Sequence, residues 1–178
     1  MRLVDAVIRR LAVAVIALGS LCFAAPNVSS APQAPSTANR CVSRAGLPDP
    51  RCTPGAVNPA VRQSTIGRTI CIPNWTDTVR PPTSYTNRLK VRGISAYGFA
   101  DRTLGDFEED HLIPLAVGGS PRSPKNLWPE RYGGRWGARV KDKLERYMHD
   151  RVCDGSIRLS TAREAFSNWR TAIRRYGL

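Results

Sequence analysis

No Cys-x-x-Cys pair occurs anywhere in this chain. Paired thiolates at that spacing frame most structural zinc sites, so a cysteine-built zinc centre is set aside. No apolar run reaches the roughly 20 residues that a membrane-spanning helix needs; the longest covers 15, from Leu11 to Ala25. No internal repeat is present. Acidic residues are scarce, with 14 Asp plus Glu against 27 Lys plus Arg, a net charge of +13.

What is present begins with Arg2, Arg9 and Arg10 before the apolar run, and small residues between Ala24 and Ala31. That order reads as a secretory signal peptide over residues 1–30. Cys22 follows Leu21, where a lipid-attachment cysteine would follow a small residue. Cleavage near Ser30 removes Arg2, Arg9, Arg10 and Asp5, so the net charge falls only from +13 to +11. The excess lies late: Arg131 to Leu178 holds 12 Lys plus Arg against 5 Asp plus Glu. Such a patch attracts polyanions through counterion release and steering. Nucleic acid is the first partner this suggests, with acidic envelope polymers as the alternative. The expectation is a secreted or periplasmic monomer with no stable membrane association after cleavage.

Four cysteines remain in the mature chain, Cys41, Cys52, Cys71 and Cys153. An even count in an exported chain points to two disulfides. Three connectivities are possible. Cys41 with Cys52 and Cys71 with Cys153 is preferred, because the second bridge would restrict the unfolded chain most.

Residues 31–40 are rich in Ala, Pro and Ser and carry almost no large apolar groups, which reads as a flexible leader. Residues 41–178 suffice for one domain. Pro48, Pro50, Pro54 and Pro59 make the Cys41–Ala60 stretch irregular, and Val61 to Cys71 allows a short helix. A helix capped by Thr83 or Ser84 is predicted to about Tyr97, with Tyr85 and Leu89 inward. Phe107 to Leu115 reads as a strand and Lys125 to Trp128 as its return, with Gly118-Gly119 in the turn. Val140, Leu144, Met148 and Val152 recur every four residues, which predicts a helix from Ala138 to Val152. A last helix is expected from Thr161, with Glu164 completing a capping box.

The chemistry concentrates at Glu108-Glu109-Asp110-His111. Hydrolysis of a phosphodiester needs a base for water and a cation to offset the phosphate charge. His111 titrates in the right range for the base. Asp110 offers a hard oxygen ligand, and Glu108 a second from the same strand face. Asn126 can brace the turn through its amide and carbonyl.

Asp110-His111-Leu112-Ile113-Pro114-Leu115, Gly118-Gly119 and Asn126-Leu127 resemble the HNH nucleases, whose ββα-metal site is a hairpin and a following helix. More narrowly, the order Cys52–Gly55, Thr69–Cys71, Val79–Pro82, Asp110–Leu115 and Asn126–Glu130 resembles small secreted bacterial HNH-like proteins over most of the mature chain. The resemblance implies that Asp110 binds the metal, His111 is the general base and Asn126 the bracing residue. It implies an α+β fold, in which the ββα-metal core sits in a mainly helical, disulfide-stapled domain.

The chain departs from the family where a third ligand is usual. That region is Gly134-Arg135-Trp136, which offers none. Lys141, Glu145 and His149 stand at i, i+4 and i+8 on the next helix, with Glu145 the candidate ligand and His149 the reserve. Arg139, Lys143, Arg146 and Lys141 are candidate nucleic-acid contacts. Trp128 and Trp136 lie near enough in sequence to stack on bases, though packing is the commoner use. The expected activity is a metal-dependent endonuclease acting on DNA or RNA with low sequence specificity. Its cofactor is expected to be Mg²⁺, with Mn²⁺ or Zn²⁺ as alternatives. The second reading is a non-catalytic basic module that binds nucleic acid or envelope polymers on the same scaffold.

Overall fold

The computed structural model describes residues 41–178. The signal peptide and the leader lie outside the described residues. Both preferred disulfides are present, Cys41–Cys52 and Cys71–Cys153. Among the described residues no helix is long and apolar enough to cross a membrane. Disulfides accord with folding outside a reducing cytoplasm.

The fold is α+β. A 3-10 turn, Gln63–Arg68, precedes α1 (Trp75–Val79) and α2 (Thr83–Ala96). The strands β1 (Phe107–His111) and β2 (Leu127–Arg131) form one antiparallel pair. Then come α3 (Ala138–Cys153), α4 (Leu159–Ala165) and α5 (Trp169–Tyr176).

The stripe on α3 packs as its spacing predicts. Leu144, Met148 and Val152 are fully buried with Phe166, Trp169 and Ile173 from the C-terminal segments. Truncating such a side chain to alanine costs about 2–5 kcal/mol. Gly155 follows at φ +81°, the left-handed conformation that glycine tolerates beyond a helix end.

Four boundaries differ from expectation, the first being β2, which runs Leu127–Arg131 rather than Lys125–Trp128 because Arg131 and Glu130 still pair with Phe107 and Glu108. Pro82, not Thr83 or Ser84, is the N-cap residue of α2, and no side chain caps it. β1 stops at His111, four residues short, because the Ile113 amide turns to the Asn126 side chain and Pro114 has no N–H for the ladder. The expected last helix is two: α4 begins at Leu159 without the Thr161–Glu164 box, and a 3-10 turn, Phe166–Asn168, separates it from α5. Asn168 starts α5 by accepting the Thr171 amide at 3.2 Å.

Candidate hydrolytic site

The hairpin register sets Glu108 opposite Glu130 and Asp110 opposite Trp128. Asn126 is fully buried at the base of the turn. Its Oδ1 accepts the amides of Ile113 at 2.9 Å and Ala56 at 3.3 Å. Its Nδ2 donates to the carbonyls of Ile113 and Ser120, each at 3.0 Å. One side chain thus satisfies four backbone groups that would otherwise be buried without partners. The Ala56–Asn58 segment also pairs with the turn, through Ser120 N to Ala56 O and Asn58 N to Gly118 O. Gly118 takes φ +77°, whereas Gly119 is required for space, since a Cβ there would collide with the Ile113 carbonyl.

His111 is buried, and its Nε2 lies 3.0 Å from the Pro121 carbonyl. A carbonyl only accepts, so the proton sits on Nε2 and Nδ1 keeps its lone pair. Burial lowers the imidazole pKa, partly offset by the Pro121 bond and by Asp110. His111 is therefore a neutral base at neutral pH.

Asp110 is engaged. Its Oδ2 lies 2.6 Å from Nζ of Lys141, which also donates to the His111 carbonyl at 3.0 Å. Burial, the largest single influence, pushes Asp110 up, but the Lys141 ammonium, the Glu130 side-chain bond and His111 together outweigh it and hold the carboxyl below its usual range. Lys141 is 1% exposed, so its assignment to nucleic acid is corrected: it is a buried clamp between α3 and the end of β1. Glu130, also fully buried, receives no hydrogen bond from an N–H or hydroxyl among the described residues and lies in side-chain hydrogen-bond contact with Asp110. Burial and then the Asp110 charge raise its pKa well above the ordinary value.

A cavity of about 530 Å³ brings Glu108, Asp110, His111, Glu145 and His149 together, with Asp142, Arg80 and Arg146 also on its wall. Glu108 is pushed up to about 7 by burial and then by Asp110, Asp142 and Glu145. Glu145 and Asp142 are raised too, burial leading in both. A second, adjoining cavity of about 190 Å³ shares Arg80, Glu108 and His111. His149 is less available than its place suggests. Its Nε2 lies 2.9 Å from the Ile70 carbonyl and its Nδ1 3.3 Å from Asp150 Oδ1. Arg139, Lys143 and Arg146 are exposed, as a polyanion-facing surface requires.

The donor set decides which metal these residues suit. Among the described residues no three His, Cys, Asp or Glu converge tightly enough to cage an ion. That geometry does not suit a closed zinc site. Magnesium is commonly held by one or two carboxylates, several waters and a substrate phosphate. Mutually repelling carboxylates beside an open cavity fit that pattern.

Sequence reasoning missed Lys141 as a clamp, Glu130, and Arg80. Lys141 had a signal: with Leu144, Met148 and Val152 it follows i, i+3, i+7, i+11, the spacing of the buried stripe. Arg80 comes from the distant α1–α2 junction, and no local pattern announces it.

No family model, no curated protein and no solved structure matches this chain.

Proposed function

We propose that this protein is an exported, metal-dependent endonuclease of the HNH kind that hydrolyses phosphodiester bonds in DNA or RNA. The observation that carries the reading is His111: a neutral imidazole, its tautomer fixed by Pro121, beside carboxylates in an open cavity. Nδ1 of His111 takes a proton from water, whose oxygen bonds to phosphorus as the bond to the leaving oxygen breaks. Asn126 holds the turn that presents the histidine. Glu108 and Asp110 would hold Mg²⁺, with Glu145 facing them. When bound, the cation offsets charge on the phosphate and the leaving oxygen. The basic surface of Arg139, Lys143 and Arg146 supports a polyanionic substrate.

Purified mature protein incubated with plasmid and with RNA, in Mg²⁺, Mn²⁺ or Zn²⁺, tests the reading. Cutting is expected, reduced about 10²–10⁴-fold in His111→Ala. No cutting in any metal, or equal cutting by the variant, would overturn it.

One observation favours a second reading, a binding module that keeps the scaffold without the chemistry. Lys141 already neutralises Asp110, the leading metal ligand. That reading predicts salt-sensitive polyanion binding indifferent to divalent metal. Metal titration separates the two, because only the enzyme loses metal affinity in Asp110→Ala.

A further inference from the structure

The hydrolytic cavity is a poor place to hold a polyanion. Five carboxylates line it, those of Glu108, Asp110, Asp142, Glu145 and Asp150, against the guanidinium groups of Arg80 and Arg146. Affinity for a phosphate chain must come from elsewhere on the molecule.

A different cavity, of about 210 Å³, lies beyond β2. Phe99, Trp128 and Trp136 form its aromatic wall, Arg135 supplies a charge unpaired among the described residues, Arg131 is paired with Asp101 at 2.9 Å, and no carboxylate lines the cavity itself. Its walls are pre-formed. Gly46 turns at φ +81° against Trp136, where a Cβ would lie 2.7 Å from the Trp136 Cβ. The Cys41–Cys52 bridge pins the same segment.

Cations crowd this tryptophan. The guanidinium carbons of Arg170, Arg135 and Arg174 lie 4.9, 5.4 and 5.5 Å from the Trp136 ring centroid. None of the three forms an ion pair among the described residues. Three like charges around one ring repel one another, and the ring's π-face offsets only part of that. A phosphate chain supplies the missing countercharge. The aromatic wall narrows the choice further, because an envelope polymer without rings gains nothing from it, whereas an unpaired base stacks there. At this size the cavity accepts one planar ring, not a duplex.

We infer that the Trp136 pocket is a binding site for single-stranded nucleic acid, apart from the hydrolytic cavity, that takes one unpaired base against Trp136 and Phe99. Arg135 reaches the phosphate beside that base and Arg174 extends the track along α5, whereas Arg131, held by Asp101 at 2.9 Å, only shapes the wall. The inference rests on the nuclease reading only for why the chain meets nucleic acid; binding itself needs neither metal nor cleavage.

The test uses the mature His111→Ala chain in chelator, so that cutting plays no part. Fluorescence anisotropy compares a labelled oligothymidylate with an abasic oligonucleotide of equal charge, with a duplex of equal length, and with inorganic polyphosphate as competitor. Oligothymidylate is expected to bind about tenfold or more tightly than the abasic chain, in line with the stacking of one base. Trp136→Leu should remove that preference. The double variant Arg135→Gln/Arg174→Gln, at exposed positions where folding is not at stake, should lower the salt slope by about 1.4, two single-strand phosphate contacts. Equal affinity for the abasic chain, tighter binding of the duplex, or no change in the double variant would overturn the inference. Equal displacement of both oligonucleotides by polyphosphate would do so as well, and would mark a general polyanion surface. Absence of cutting by the unmutated chain would count against the nuclease reading alone.

Discussion

Lys141 shows how one side chain can change the meaning of another. An aspartate before a histidine reads as a free metal ligand until a fully buried ammonium is found 2.6 Å away. Removing one partner of a buried ion pair strands the other charge and costs about 3–5 kcal/mol. Lys141→Met should therefore destabilise the protein by that amount in urea denaturation. Lys141→Met combined with Asp110→Asn should recover a large part of the loss, because no unpaired charge remains. If the double variant is as unstable as the single one, the ammonium matters for packing or for the His111 carbonyl rather than for Asp110. His111 and Asn126 were legible because each needs only its own chemistry and a nearby turn. The clamp was harder to read, because it joins residues 31 positions apart on different elements, and lysine is seldom fully buried.

At the scale of elements, the hairpin carries an unusual load of acid. Glu108 and Glu109 are pushed up to about 7 and about 8, burial first and Asp110 next, and Glu130 lies well above its ordinary value. In the unfolded chain all three release their protons near 4.5. Below that pH both states are protonated and the three contribute no pH dependence. Above it the unfolded chain gives up protons that the hairpin keeps, so stability falls as pH rises toward about 8. His111, lowered by burial, acts in the opposite sense near its ordinary value of 6.5, as one group against three. The melting temperature without divalent ions is therefore expected to peak near pH 5 and decline to pH 8. Millimolar Mg²⁺ should raise it more at pH 8 than at pH 5, since the ion binds carboxylates that have lost their protons. A melting temperature flat with pH, or a Mg²⁺ effect independent of pH, would count against this account of the hairpin. The strands and α3 were legible from alternation and period. Their ends were not: Asn126 takes over from the ladder after His111, and Asn168 opens a new helix where a continuous one was expected. Both are side-chain substitutions for backbone bonds, which hydrophobic periodicity does not register.

For the whole molecule, the two bridges divide the labour unequally. Cys41–Cys52 closes 11 residues and Cys71–Cys153 closes 82. On the chain-entropy view, their loss costs about 2.8 and about 4.5 kcal/mol respectively, before any native strain is counted. The longer bridge also joins two walls of the candidate site's cavity, Ile70 and Cys71 on one segment and His149 and Asp150 on the other. The Ile70 carbonyl meets His149 Nε2 at 2.9 Å beside it. The shorter bridge instead pins the segment that shapes the Trp136 pocket. Replacing Cys71 and Cys153 with serine should therefore lower the urea midpoint more than replacing Cys41 and Cys52. The Cys71/Cys153 variant should also lose cleavage at denaturant concentrations where the other still cuts, while the Cys41/Cys52 variant weakens oligothymidylate binding first. Equal midpoints, or the reverse assignment of the two functions to the two bridges, would refute this division.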